Sequence, residues 1–184
     1  DMEGWLRDDF GRAFARLEEE DFTKGDGVKK PRGILLDASA GVTAAAVGAI
    51  TADELIDLQH ALPQQYRAKG TFMTTDAVLR AVRKLKTSDG QYIWQPGLQA
   101  GKPNSLLGKN VVTNEFMDDP AAGKVPVLYG DFSAYRILDR RGLFFQRLSE
   151  MYAASGQVGF LAYKRYDGRL LDVNAVKKLT MKAA

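Results

Sequence analysis

The chain has 184 residues, of which 45% are hydrophobic and 27% charged, and its net charge is +3. That length supports one sizeable core and at most two small lobes, and the composition excludes wholesale disorder. The absence of cysteine removes disulfides, thiolate metal sites and a cysteine nucleophile together, and suits a reducing cytoplasm.

No stretch approaches the ~20 apolar residues that span a bilayer. A pI near 9.0 permits weak attraction to nucleic acid, but small basic excesses are common in proteins that bind none. The chain opens at Asp1-Met2-Glu3 and enters helical periodicity at once. The expectation is a fragment whose first helix continues upstream.

Leu6, Phe10, Ala13, Phe14 and Leu17 recur at helical spacing and predict an amphipathic helix over the first ~20 residues. It should stop before Gly25-Asp26-Gly27, with Pro31 and Gly33 preventing its resumption. Ile34-Leu35-Leu36 predicts a short strand, and the small, polar stretch 38–48 an irregular loop. A second helix is expected from Thr51 or Ala52 to about Tyr66, with Leu55, Leu58 and Leu62 as its stripe and Pro63 ending or kinking it.

Thr71-Phe72-Met73 predicts a strand, followed by a helix from a Thr75 N-cap to Lys86 with Val78, Val82 and Leu85 on one face. Gln91-Tyr92-Ile93-Trp94 reads as a strand and 96–103 as turns. Further strands are expected at 111–112, 125–129, 134–138 and 143–148, the last two around Arg140-Arg141-Gly142. Residues 159–173 predict a hairpin turning at Asp167-Gly168, and 177–181 a last strand. Helices early and strands late, without βαβ alternation, make an α+β pattern.

Sites for chemistry are not evident. His60 is the single histidine and lies off the leucine stripe, which reads as a solvated or interfacial side chain without a catalytic partner. Asp118-Asp119 is followed by Pro120 without EF-hand spacing. Gly25-Asp26-Gly27 follows a helix instead of a strand, and Gly108-Lys109-Asn110 lacks the rest of a Walker pattern. Arg80, Arg83, Lys84 and Lys86 read first as the wet face of a helix, and second as a phosphate-contacting patch. The expectation is no catalytic, cofactor-binding or metal-binding residue.

Charge is distributed unevenly. Residues 1–20 hold seven acids and three bases, a balance of −4, and residues 151–184 hold six bases and two acids, a balance of +4. Opposite ends suit packing side by side or subunit against subunit, although exposed pairs contribute only ~0–1 kcal/mol each.

In order along the chain, several segments carry a resemblance. They are Glu20-Asp21-Phe22, Gly25-Asp26-Gly27, Pro31-Arg32-Gly33-Ile34-Leu35, Asp53-Glu54-Leu55-Ile56-Asp57-Leu58 and Leu62 with Tyr66-Arg67. Phe72-Met73, Leu79-Arg80 and the block from Leu85-Lys86-Thr87 through Ser88-Asp89-Gly90-Gln91-Tyr92-Ile93-Trp94 come next. Leu106-Leu107-Gly108-Lys109-Asn110-Val111-Val112, Leu128-Tyr129-Gly130-Asp131-Phe132, Arg165-Tyr166-Asp167-Gly168-Arg169 and Ala175 complete the series. Joined in this order, they resemble the C-terminal portion of HK97-like tailed-bacteriophage major capsid proteins. That family's N-terminal arm and extended loop have no counterpart here.

The resemblance implies an HK97-like α+β fold: a peripheral domain from 1–32, with a long spine helix, and 156–184, and an axial domain from 33–155 inserted between them. It implies a structural protein, not an enzyme, that joins copies of itself into pentamers and hexamers of an icosahedral shell around double-stranded DNA. DNA contact would be weak and non-specific, scaffold and portal proteins are further expected partners, no membrane is involved, and no cofactor is needed. The implied location is the virion capsid, assembled in the host cytoplasm. Trp94, Phe116, Tyr129, Phe132, Phe144 and Phe145 are either core residues, the favoured reading, or interface anchors. Two other readings stand beside this one: an encapsulin-type cellular compartment shell, and a small hydrolase or transferase with an unrecognised site.

Overall fold

Leu55, Leu58 and Leu62 fall on one helical face, and all three are buried. The computed structural model describes residues 2–86 and 105–184. The strand expected at Gln91–Trp94, its flanking turns and Trp94 itself therefore lie outside the described residues. The elements follow the α+β pattern: α1 (Met2–Lys24), α2 (Ile34–Asp37), β1 (Ser39–Thr43), α3 (Ala52–Ala61), α4 (Gln64–Arg67), β2 (Thr71–Thr74) and α5 (Asp76–Arg83). After the gap come β3 (Ser105–Leu106), β4 (Lys109–Thr113), β5 (Val127–Gly130), β6 (Tyr135–Asp139), β7 (Phe144–Leu148), β8 (Gly159–Tyr163), β9 (Tyr166–Leu170) and β10 (Val176–Thr180).

Local chemistry accounts for the helix limits. Thr51 and Glu54 form a reciprocal capping box that starts α3, and the extended Leu62 before Pro63 ends it. What sequence reads as one helix to Tyr66 is thus two, α3 and α4. The Thr75 hydroxyl accepts from Val78 N at 3.2 Å and starts α5, which stops at Arg83, three residues before the expected Lys86.

Six strands form one mixed sheet in the order β1-β10-β5-β2-β4-β3. β1 runs parallel to β10, and β2 parallel to β4; the other neighbours are antiparallel. One face carries Phe72, Val127, Tyr129 and Leu179 against α3 and α5, through Leu55, Leu58, Leu62, Val78 and Val82. The opposite face carries Leu128 and Val176 against Ile34, Ala38, Met117 and Leu170. Covered on both sides, β5 is buried at all four positions.

Two expectations fail here. Residues 38–48 are not wholly loop, because 39–43 form the edge strand β1. Its small residues have no β signature, yet they let α3 lie close: a Cβ on Gly41 would stand 2.9 Å from Leu58 Cδ1. Ile34-Leu35-Leu36 is a helical turn instead of a strand, with Ala38 N donating to Ile34 O at 2.9 Å and Asp37 accepting from the Arg32 guanidinium.

Residues 135–170 form a long two-stranded ribbon. β6 pairs with β9, β7 pairs with β8, and Arg140 N donates to Arg165 O at 2.9 Å across the junction. The expected hairpin turning at Asp167-Gly168 is therefore absent: both residues lie inside β9, and 149–158 form the tip between β7 and β8. Gly168 marks a close approach, since an added Cβ would meet Tyr135 Oη at 2.7 Å and Phe22 Cδ1 at 3.1 Å.

The three last strands take different places. β8 and β9 belong to the ribbon, whereas β10 lies inside the six-stranded sheet between β1 and β5. β6 and β7, in residues 135–148, pair with β9 and β8.

Candidate functional site

Alternation along the ribbon separates two faces. Tyr135, Ile137, Phe145, Phe160, Tyr166, Gly168 and Leu170 share the parity that meets α1 and the sheet. Phe10 meets Phe145 edge-on at 5.9 Å between ring centroids, and Phe145 stacks on Phe160 at 5.7 Å. Nearer the sheet, Phe22 lies edge-on to both Tyr135 and Tyr166. Such pairs add ~0.5–1.5 kcal/mol each beyond area burial.

Polar bonds fix the register of α1 on the ribbon. Lys164 Nζ stands 2.5 Å from Glu18 Oε1 and 3.1 Å from Asp139 Oδ2. The hydrogen bond to Glu18 raises the Lys164 pKa most, and Asp139 adds to it. Tyr166 Oη donates to Asp21 Oδ2 at 2.8 Å, and burial first, then that bond, push the phenol up to about 12. Burial, helped by the carboxylates of Asp37, Asp167 and Asp21, raises Tyr135. Its hydroxyl donates to Arg32 O at 2.9 Å. Arg147 pairs with Glu3 at 2.9 Å further along. The opposite charge of the two chain ends is thus spent, in part, on packing them together through Glu18 and Lys164.

The stripe on α1 differs from the expected one. Leu6, Phe10 and Phe14 are half-buried, but Ala13 and Leu17 are exposed, and the contact continues through Glu18, Asp21 and Phe22. Thr23, at the helix end, is buried and accepts from Asn114 Nδ2 at 2.8 Å. Lys24 pairs with Asp118 at 2.9 Å. An apolar cleft of about 410 Å³ remains between helix and ribbon, lined by Phe22, Ile34, Met73, Phe132, Tyr135 and Ile137 among others.

The other ribbon face has no cover among the described residues. Leu138 is 73% exposed, Phe144 43%, Leu161 43% and Tyr163 47%. Phe144 and Tyr163 lean on each other at 4.7 Å between centroids, and both stay exposed among the described residues. An apolar face of this kind on a two-stranded ribbon is a candidate association surface.

Of the aromatic anchors read from sequence, Tyr129 is core, and Phe116, Phe132 and Phe145 are half-buried. Phe144 lies on the uncovered face. Leu138, Leu161 and Tyr163 join it there; residues 159–163 are apolar throughout, so no alternation in the sequence assigns them to a face. His60 is exposed on α3, and its backbone carbonyl accepts from Arg67 Nη2 at 2.6 Å. Arg80, Lys84 and Lys86 are exposed and Arg83 half-buried. Among the described residues no three His, Asp or Glu side chains gather as a metal site would require. No helix of the described residues is long and apolar enough to cross a membrane.

The family described as the Phage capsid family matches residues 1–181. The chain belongs to the phage capsid family. It is similar to the capsid chain of an empty GTA particle computed with C5 symmetry, at 36% identity and a TM-score of 0.90 over 100% of this chain and 67% of that one. The capsid of the native GTA particle gives 35% identity and 0.90 over 100% and 66%. The chain thus spans about two thirds of the length of the solved capsid chains it matches. A chain from Microbacterium phage Oxtober96 shares the fold at 20% identity and a TM-score of 0.72, over 99% of this chain and 66% of that one. So does the SrpI encapsulin of Synechococcus elongatus PCC 7942, at 15% and 0.72, over 98% and 65%. No curated protein matches the sequence.

Membership in a family of shell-forming structural proteins sets aside the reading of the chain as a small hydrolase or transferase. The HK97-like α+β fold expected from the sequence is the fold of these capsid neighbours.

Proposed function

We propose that this chain is the assembly-forming part of a major capsid protein that joins copies of itself into pentamers and hexamers of an icosahedral shell around double-stranded DNA. The likeness to the GTA capsid chain, over the whole of this sequence at 36% identity, carries that reading. The uncovered ribbon face supports it, because a shell subunit needs self-complementary surfaces in place of a reacting pocket. The shell would stand in the virion, be assembled in the host cytoplasm, and engage scaffold and portal proteins while touching packaged DNA weakly.

The packing supports a division other than the one expected at 32 and 156. A peripheral lobe would join α1 to the ribbon 135–170, and an axial lobe would hold the six-stranded sheet with α3, α5 and the returning β10. The encapsulin-type compartment is the second reading, favoured by the shared fold of SrpI, and at 15% identity it is the weaker one.

Sizing and negative-stain microscopy of the complete protein test the proposal. Rings or closed particles are expected. A stable monomer under every assembly condition overturns it, and closed particles that enclose a cellular enzyme instead of DNA favour the compartment.

A further inference from the structure

Where β6 passes into β7, three arginines gather on the uncovered side of the ribbon. Arg140, Arg141 and Arg165, with Gly142, Phe144 and Tyr163, enclose a cavity of about 330 Å³. The backbone holds this arrangement. Arg141 and Gly142 have φ of 80° and 64°, Gly142 N donates to Asp139 Oδ1 at 3.0 Å, and Arg140 N donates to Arg165 O at 2.9 Å. A left-handed arginine is a strained residue, and strain of this sort persists where the surroundings impose it.

No carboxylate of the described residues answers these guanidinium groups. Asp139, the adjacent acid, is occupied by Lys164 at 3.1 Å and by the Gly142 amide. None of the three arginines makes an ion pair among the described residues. Three like charges held together on an aromatic floor are a mould for an anion, and the planar guanidinium fork fits a carboxylate with two parallel hydrogen bonds.

We propose that this cavity receives carboxylates from a second copy of the chain, an inference that rests on the shell-subunit reading above. Charge complementarity selects that occupant. Asp8, Glu19 and Glu20 stand exposed on α1 without an ion pair among the described residues, so each copy carries unmatched acids as well as unmatched arginines. The setting selects a protein over a phosphate backbone. Leu138 and Leu161 continue the same face and offer a nucleic acid nothing, whereas an apolar patch beside charged sockets is how protein interfaces are built.

The test compares the complete wild-type protein with Arg140→Glu/Arg165→Glu and the milder Arg140→Gln/Arg165→Gln. Sedimentation gives the fraction in particles, thermal melting of unassembled protein reports the fold, and the absorbance ratio at 260 and 280 nm reports nucleic acid. The proposal expects melting within about 2 °C of wild type, at least a tenfold rise in the concentration needed for assembly of the glutamate variant, and a smaller rise for glutamine. Should the glutamate variant misfold, the glutamine variant decides alone. Normal assembly of both variants overturns the carboxylate socket and leaves the shell reading standing. Normal assembly with less nucleic acid assigns the cavity to phosphate and overturns it equally. Failure of the wild type itself to form particles overturns both.

Discussion

The six-stranded sheet and the ribbon are both β structure, yet they hold their apolar residues in opposite ways. In the sheet, Phe72, Leu128, Tyr129 and Leu179 are wholly buried between helices and the ribbon base. In the ribbon, none of β6, β7 or β8 contains a buried residue, and apolar side chains face water along one side. The sheet completes its core within one chain. The ribbon has α1 on one face, and its second face is finished by another copy in the proposed shell. A two-stranded ribbon has little stability of its own, so α1 supplies what the fold needs and, in the proposed shell, association supplies the rest.

Substitutions can break or sharpen that contrast. The largest effect is expected in the sheet lobe, where Leu58→Ala should lower unfolding stability by about 2–5 kcal/mol in denaturant titrations of the unassembled protein. A change under about 1 kcal/mol would mean the sheet core is not the stabilising unit. Next comes the inner ribbon face. Gly168→Ala thrusts a methyl against Tyr135 and Phe22, and should cost about 1–3 kcal/mol in the same titration.

On the outer face the sign of the comparison changes. Leu161→Ala should leave the unassembled chain within about 0.5 kcal/mol of wild type, while reducing the yield of assembled particles. Equal losses in both assays would place Leu161 in a core. Smallest is a pH effect at the bond between α4 and the segment before β10. The Tyr66 hydroxyl donates to Asp172, which lowers the aspartate pKa and raises that of the tyrosine. The Asp172 contribution is present above its ordinary value and is lost as pH falls through the lowered one. The Tyr66 contribution is present below ~10 and is lost as pH rises through the raised value. Tyr66→Phe should therefore flatten both limbs of a melting-temperature profile, most visibly at its acid and alkaline ends.

Much of the sheet lobe could be read from the residues because its signals are local. Thr51 with Glu54, Thr75 and Pro63 fix helix ends through bonds within four residues, and the leucine stripe of α3 is a periodicity. Local pattern misleads where a distant contact decides. Gly168 resembles a turn residue, and it is present because an aromatic ring from α1 and another from β6 close over it. Ser39-Ala40-Gly41 has the composition of a loop, and β10, more than a hundred residues later, makes it part of a strand. The pairing of β6 with β9 leaves no trace in local pattern, so the sequence presents the ribbon as separate pieces. The association surface was half legible for the same reason: Phe144 stood out as an aromatic, but Leu138, Leu161 and Tyr163 become a surface once the pairing puts them on one face.

Hydrogen exchange, compared between unassembled protein and particles, tests the central claim most directly. Amides of β2 and β5 should exchange slowly in both states, while those of β7 and β8 should exchange fast in the free chain and become protected on assembly. Equal protection of β7 and β8 in both states, or no protection in the particle, would contradict a ribbon completed by its neighbours.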